Sequence, residues 1–201
     1  MNRAFSWTAI ALLLALFTPM AQDAEAQSYR EPGSDRIQIM VYGGGFTPME
    51  ELGGGEFQNS GSVGATAGIW VGKYFGFRAN LLYAQTDIQG VPDENLVWDN
   101  PNIWIYNGDF LARLPREVGM SWITPYAFVG AGNKLYNFDN RDDLEGDFVS
   151  TFGLGLNYRM DPDSHWGLNV ELRDFVSTFE MGDLNETQHD LVWTGGITFS
   201  W

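Results

Sequence analysis

The sequence has no cysteine, few basic residues and no long apolar segment, and each shortage excludes a class of protein. Without cysteine no disulfide can cross-link the fold, so the chain is not a small disulfide-stabilised secreted domain. Only 11 Lys and Arg stand against 26 Asp and Glu, which gives a formal net charge of -15. Nucleic acid is therefore excluded as a partner, because phosphate binding requires clustered cations.

The longest apolar run, Ala9 to Phe17, is too short to span a membrane as a helix, which needs roughly 20 residues. The run follows Arg3 and precedes Ala24-Glu25-Ala26, the arrangement of a cleavable secretory signal peptide. We therefore expect residues 1–26 to be a signal peptide and residues 27–35 to be a short periplasmic lead-in. An exported chain without spanning helices can cross a membrane only as a closed barrel of strands.

The sequence does contain long segments in which apolar and polar side chains alternate, as in the last residues of the chain. Successive strand residues point to opposite faces, so Trp193, Ile197 and Phe199 share an apolar face, whereas Thr194 and Thr198 share a polar one. The segments are longer than soluble strands and suit tilted membrane strands. The eight predicted strands are 36–47, 61–72, 76–88, 102–114, 124–136, 147–159, 166–179 and 189–201.

The connections between these strands alternate in length. Segments 48–60, 89–101, 137–146 and 180–188 are long, whereas 73–75, 115–122 and 160–165 are shorter. This alternation is typical of bacterial outer-membrane barrels with long extracellular loops and short periplasmic turns. The long loops hold 13 acidic residues and a single base, Arg141. The sequence therefore predicts an all-β fold, an eight-stranded antiparallel up-and-down transmembrane β-barrel over residues 36–201, with acidic extracellular loops.

The polar face of the predicted strands carries charges of both signs. In a barrel these residues point inward, because a cation facing mid-bilayer lipid costs about 2 to 4 kcal/mol. Eight strands enclose an interior that side chains just fill, which favours a salt-bridged plug over an open pore. Inward glycines at 64, 68, 153, 155 and 196 either leave room for water or relieve crowding. The predicted interior charge network consists of Arg78, Arg113 and Arg173, paired with Asp109 and Glu171.

Several segments resemble a known family. The predicted signal peptide, the first strand IQIMVYGGGF, the segments PYAFVGAG and FVSTFGLGLNYR, and the terminal aromatic residue are similar to eight-stranded outer-membrane barrels of the OmpA/OmpX type. The resemblance covers residues 36–201 and implies a location in the bacterial outer membrane. It also implies that Ile197, Phe199 and Trp201 form the signal read by the barrel-assembly machinery, although the family more often ends in Phe. We expect no peptidoglycan-binding domain.

The resemblance and the composition together favour a non-enzymatic barrel with a structural or surface-interaction role through its acidic extracellular loops. A narrow or gated channel for small solutes or ions is the alternative. We expect a monomer that contacts outer-membrane lipids and lipopolysaccharide. No catalytic residue, cofactor or metal site is expected.

Three further hypotheses are weaker. A lipid A-modifying hydrolase of the PagL type would need His189 beside Ser177 or Thr178 and next to Asp190, but the His-x-Ser pattern of those enzymes is missing; His165 falls in a turn. A soluble lipocalin-like binder would turn the apolar faces inward. The acidic loop 137–147 offers oxygen ligands for calcium, yet it is not an EF-hand, because Arg141 and Leu144 occupy positions unsuited to that motif.

Overall fold

The computed structural model describes residues 36–49, 51–52, 55–57, 59–86, 88–89, 102–114, 122–137, 145–161, 164–181 and 184–201. The predicted signal peptide, the lead-in and much of the long loops, including residues 138–144 of the acidic third loop, lie outside these residues.

The described residues form eleven strands and confirm the predicted all-β fold. Eight long strands close a barrel in the order β1-β11-β10-β9-β8-β7-β5-β4, and every neighbouring pair is antiparallel. Three short strands form a separate sheet in the order β2-β3-β6. The strands are β1 Ile37–Pro48, β2 Glu51–Leu52, β3 Gly55–Phe57, β4 Ser60–Val71, β5 Phe75–Gln85, β6 Ile88–Gln89, β7 Asn102–Arg113, β8 Ile123–Asn137, β9 Glu145–Tyr158, β10 Trp166–Met181 and β11 Leu184–Ser200.

The predicted strand bounds are wrong in two places, both near the long connections. Strands β10 and β11 continue to pair as far as Met181 with Leu184, so most of the predicted loop 180–188 is strand. Backbone pairing within this hairpin continues even though its side chains lose the apolar alternation. Strand β5 ends at Gln85, and Ile88 belongs to β6, which pairs with β3 and so joins the first two long connections.

The two ends of the barrel differ. At the turn end, a tight turn over residues 72–74 joins β4 to β5, and Gly72 has a φ of 72°, a conformation that favours glycine. The chain closes on itself here, because the Arg36 and Ile37 amides each donate to the Trp201 carbonyl over 3.0 Å. The opposite end, where the long connections lie, is called the loop end below; in bacterial barrels this end is extracellular.

The apolar faces of the strands point outward. Trp193 and Ile197 are 59% and 50% exposed, whereas Thr194, Thr198 and Ser200 between them are buried in the interior. This arrangement contradicts the lipocalin-like alternative, which would place the apolar faces inside. In the described part of the chain, no helix is long and apolar enough to cross a membrane.

Candidate functional site

The interior of the barrel is the candidate functional site, and side chains fill it in two zones. The zone nearer the turn end is polar, with buried Arg, Asp, Glu, Asn and Tyr side chains. The zone nearer the loop end is mainly apolar and encloses one Lys–Asp pair. Its buried apolar residues include Phe46, Leu82, Ile103, Ile105, Tyr136, Val149, Phe175 and Val192.

Two arginines and two carboxylates meet in the polar zone. Arg78 on β5 contacts Asp109 on β7 over 2.9 Å and also pairs with Glu171 on β10. Arg173 lies 2.7 Å from Glu171 and 3.7 Å from Asp109. Because β5 and β10 lie opposite each other in the ring of eight strands, these ion pairs cross the interior. The four charges balance, which suits a buried site, since an unpaired charge there is strongly unfavourable.

Neutral side chains donate further hydrogen bonds to the two carboxylates. Asn107 donates to Asp109, and the Tyr126 hydroxyl donates to Glu171. Asn80 in turn donates to Asn107 over 2.7 Å. The Tyr42 hydroxyl donates to Asn80 over 2.7 Å, and Asn169 donates to the Tyr126 oxygen over 2.7 Å. The hydrogen bonds thus extend from the ion pairs to strands β1 and β8.

Aromatic rings pack over the inward glycines next to this network. The Phe128 ring contacts both arginines, with its centroid 4.6 Å from Arg78 Cζ and 4.8 Å from Arg173 Cζ. Phe128 faces Gly153 across the β8–β9 pair, and a Cβ at Gly153 would lie 2.5 Å from the ring. The other such rings are Tyr42 over Gly64 and Tyr126 over Gly155.

The two remaining inward glycines are equally crowded. A Cβ at Gly68 would lie 2.8 Å from the Phe77 carbonyl oxygen, and one at Gly196 would lie 2.8 Å from Tyr42 Cβ. The sequence left two interpretations of the five inward glycines open, room for water or relief of crowding. The structure supports relief of crowding, because protein atoms occupy the position that a Cβ would take at each of them.

Arg113 lies apart from the other predicted charges. It is four residues from Asp109 along β7, a separation of roughly 13 Å in a strand. At the turn end its Nε donates to the Lys73 carbonyl over 3.0 Å, and its Cζ lies 4.1 Å from the Trp70 ring centroid. The structure therefore does not show the expected pairing of Arg113 with Asp109 or Glu171. Alternation along a strand predicts which face of the sheet a residue occupies, but not its position along the barrel axis.

A second buried ion pair was missed by sequence reasoning. Lys134 on β8 and Asp190 on β11 are both fully buried, and their charged atoms lie 2.5 Å apart. Gln188 donates to Asp190 over 3.1 Å, and the Tyr136 hydroxyl donates to Gln188 over 3.2 Å. The odd–even alternation along β8 could have identified the inward direction of Lys134, because Lys134 shares the face of Phe128 and Tyr136.

The structure does not assemble the residues of the hydrolase hypothesis around His189. Ser177 and Asp190 point into the barrel and are buried, whereas His189 points outward. The carboxylate beside it is Asp174 on β10, whose Oδ2 lies 2.9 Å from His189 Nδ1. The side chain of Thr178 lies outside the described residues. Consecutive residues of a strand face opposite sides, so Asp190 cannot orient its neighbour.

The described residues of the C-terminal strand form an aromatic cluster at the turn end. The Phe199 ring lies 4.8 Å from the Trp166 ring and 5.3 Å from the Trp201 ring. His165 contacts the same strand, with Nδ1 2.7 Å from the Ser200 carbonyl oxygen. Ile197 is exposed on the outer face. The three residues of the predicted assembly signal thus all lie on the outward face of β11 or directly after it.

No group of three or more His, Cys, Asp or Glu side chains is placed to hold a metal ion within the described ranges. The acidic segment considered for calcium falls largely outside them.

Comparisons with solved structures agree with this fold. Neisserial surface protein A is similar with a TM-score of 0.59 and 11% identity over 82% of this chain and 97% of that chain. OprG from Pseudomonas aeruginosa has a TM-score of 0.55 and 14% identity over 86% and 99% of the two chains. Ail from Yersinia pestis, in complex with the heparin analogue sucrose octasulfate, has a TM-score of 0.52 and 11% identity over 84% and 99%. At these identities the likeness shows the fold alone.

No curated protein matches the sequence. The family model described as the outer membrane protein beta-barrel domain matches residues 9–200, nearly the whole chain. With the closed eight-stranded barrel and its apolar exterior, this match shows that the chain belongs to the outer membrane protein β-barrel domain family.

Proposed function

We propose that this protein is a non-enzymatic barrel with a structural and surface-interaction role, in which the interior acts as a rigid plug and the acidic extracellular loops contact partners. The observation that carries the proposal is the filled interior. Crossing ion pairs occupy the polar zone, and an apolar layer lies between that zone and the loop end. A barrel without an open path serves as a scaffold for its loops.

A small cavity near the turn end supports the same interpretation. Its volume is about 10 Å³, which is close to the space that one water molecule needs. It is lined by Gln38, Trp70, Arg113, Thr124, Tyr126, Asn157 and Arg159. Passage of a solute from this cavity would require both the ion pairs and the apolar layer above them to rearrange.

The alternative is a narrow or gated channel, whose gate would be the ion pairs that cross the interior. Planar-bilayer conductance tests it on refolded protein, with an Asp109→Ala, Glu171→Ala double variant beside the wild type. The plug predicts a silent wild type. Steady channels in the wild type that the double variant alters would replace the proposed function with transport.

The charge of the loops indicates the chemistry of a partner. Thirteen acidic residues and one arginine in the predicted loops favour a cationic surface, in contrast to the polyanion bound to Ail. Binding of a fluorescent polylysine to the refolded barrel tests this directly. The neutralised loop variant Asp93→Asn, Glu94→Gln, Asp99→Asn should bind more weakly and with a smaller salt dependence. Neutralising Glu117, Asp161 and Asp163 in the predicted short connections provides the matched control, and an equal loss there would contradict a role for the loops.

The export and assembly assignments belong to the same proposal. Residues 1–26 are removed on export, and Ile197, Phe199 and Trp201 are read by the barrel-assembly machinery. The N-terminal sequence of the protein from purified outer membranes tests the first assignment, with Gln27 as the expected first residue.

A further inference from the structure

The strands β9 and β10 are paired with each other only part of the way towards the loop end. Their pairing ends at Val149 and Ser177. Both strands nevertheless continue, since residues 145–148 of β9 pair with β8 and residues 178–181 of β10 pair with β11. Among the described residues, no backbone pairing joins segment 145–148 to segment 178–181. The barrel wall divides here into two hairpins, and we call this place the fork.

The edge of β10 is open at the fork. One more step of the register would set Thr178 opposite Phe148, so the end of the pairing does not come from a shortage of chain. Segment 178–181 contains no proline, and every residue in it carries a backbone N–H. Alternate residues of a strand direct N–H and C=O to the same side, and an edge without a neighbouring strand is a template for another extended segment.

Beyond the fork, the β10–β11 hairpin is a ribbon of two strands. Residues 178–181 pair with residues 184–187, whereas the pairing of β11 with β1 ends at Asp190. A hairpin of two strands is marginally stable by itself, and a third strand stabilises it. A strand added along β10 would complete a three-stranded sheet.

The sequence on both sides of the fork is acidic. Segment 137–147 contains five acidic residues and one base, Arg141. Segment 178–188 contains three acidic residues and no base. Lys134 on β8 is paired with Asp190 inside the barrel. This charge disfavours a second copy of the same hairpin at the open edge and favours a cationic strand.

We propose that the fork binds a short cationic polypeptide segment in extended conformation, which adds as a strand to the edge of β10 at residues 178–181. The inference rests on the proposed function, in which the acidic loops contact a cationic partner, and adds how that partner is held. Backbone hydrogen bonds to β10 supply affinity, as in other cases of strand addition. Lysine or arginine side chains of the added strand meet the acidic residues of the two hairpins.

A reversible disulfide can close the fork. The chain has no cysteine, so an engineered pair meets no competing thiol. The variant Phe148→Cys, Thr178→Cys places the two thiols at the next step of the register. Oxidation joins the edge of β9 to the edge of β10, and reduction reopens the fork without a change in charge. The control is Leu154→Cys, Leu172→Cys, which links the same two strands where they already pair.

The experiment measures fluorescence anisotropy of a labelled octapeptide that alternates lysine and valine, added to each refolded barrel. A second peptide carries N-methyl groups on its two central nitrogens, which removes one backbone donor from each of its edges and keeps its charge. Slower gel migration after boiling first verifies folding, and thiol titration verifies the disulfides. We expect the N-methylated peptide to bind about tenfold more weakly. Oxidation of the fork variant should weaken octapeptide binding by a similar factor, and oxidation of the control should not.

Equal binding of the two peptides, or octapeptide binding that oxidation of the fork leaves unchanged, would overturn the proposal. Polylysine in the same assay separates this failure from failure of the proposed function. If polylysine binds while the two peptides bind alike, the acidic loops contact a cationic partner without strand addition. If neither polylysine nor the octapeptide binds, the proposed function itself fails and strand addition fails with it. If the fork thiols do not oxidise, the comparison of the two peptides decides alone.

Discussion

Arg78 donates to a single oxygen of Asp109 through two of its nitrogens, with Nε 3.1 Å and Nη2 2.9 Å from Oδ2. The same guanidinium also reaches across the interior to Glu171. One side chain on β5 therefore joins strands on both sides of the barrel. The neighbouring Arg173 contacts the same two carboxylates, so removing any one of the four charges leaves the buried cluster with a net charge.

Truncation of Asp109 should destabilise the barrel strongly. Asp109→Ala leaves Arg78 and Arg173 with Glu171 as their shared carboxylate, and breaking a buried pair in this way costs about 3 to 5 kcal/mol. Urea unfolding of the barrel refolded into lipid vesicles measures the loss. An Arg78→Met, Asp109→Leu variant removes both charges and should lie closer to the wild type. If the double variant is the less stable of the two, the network is not held by charge pairing.

The second ion pair allows an independent test near the loop end. Lys134→Met leaves Asp190 buried among apolar side chains, and we expect a loss of about 3 to 5 kcal/mol in the free energy of unfolding. Adding Asp190→Asn should recover part of this loss, because the amide carries no charge and still accepts a hydrogen bond from Gln188. A Lys134→Met variant as stable as the wild type would show that Asp190 finds another way to avoid an unpaired charge.

The packing of rings over glycines predicts different effects of the same substitution at different sites. The methyl group of Gly153→Ala would clash with the Leu172 carbonyl oxygen and lie 2.5 Å from the Phe128 ring, and overpacking of this kind costs about 1 to 3 kcal/mol. Gly195→Ala, on the open outer face, should leave the free energy of unfolding nearly unchanged. Equal effects in urea unfolding would indicate that backbone propensity, rather than crowding by these atoms, determines the outcome at Gly153.

Alternation along each strand made most of the fold predictable from the sequence. Odd–even alternation alone assigned Arg78, Asp109, Glu171 and Arg173 to the interior, and the structure places all four residues there. Parity depends only on the pleat of one strand, so it requires no knowledge of the neighbouring strands.

The contacts between distant strands were not predictable in the same way. Lys134 meets Asp190 across the interior from a strand three places away in the ring, and Asp174 meets His189 only because of the register of the β10–β11 hairpin. The position of a residue along the barrel axis depends on the stagger between strands, and residue spacing within one strand gives no information about that stagger. The same limit explains why Arg113 was predicted to join this network, although it lies four residues from Asp109 along β7.

The last residues of the chain should determine how much barrel reaches the membrane. Phe199 and Trp201 lie on one face, and the Trp201 backbone closes the barrel against Ile37 over 3.0 and 3.1 Å. Trp201→Ala keeps these backbone bonds and removes only the aromatic side chain. If that ring is part of the assembly signal, the variant should accumulate in the outer membrane several-fold less while the refolded protein keeps nearly wild-type stability. Trp166→Ala removes the other ring packed on Phe199 and serves as the control. Equal losses of outer-membrane protein in the two variants would attribute the effect to packing at the turn end rather than to recognition of the C-terminal strand.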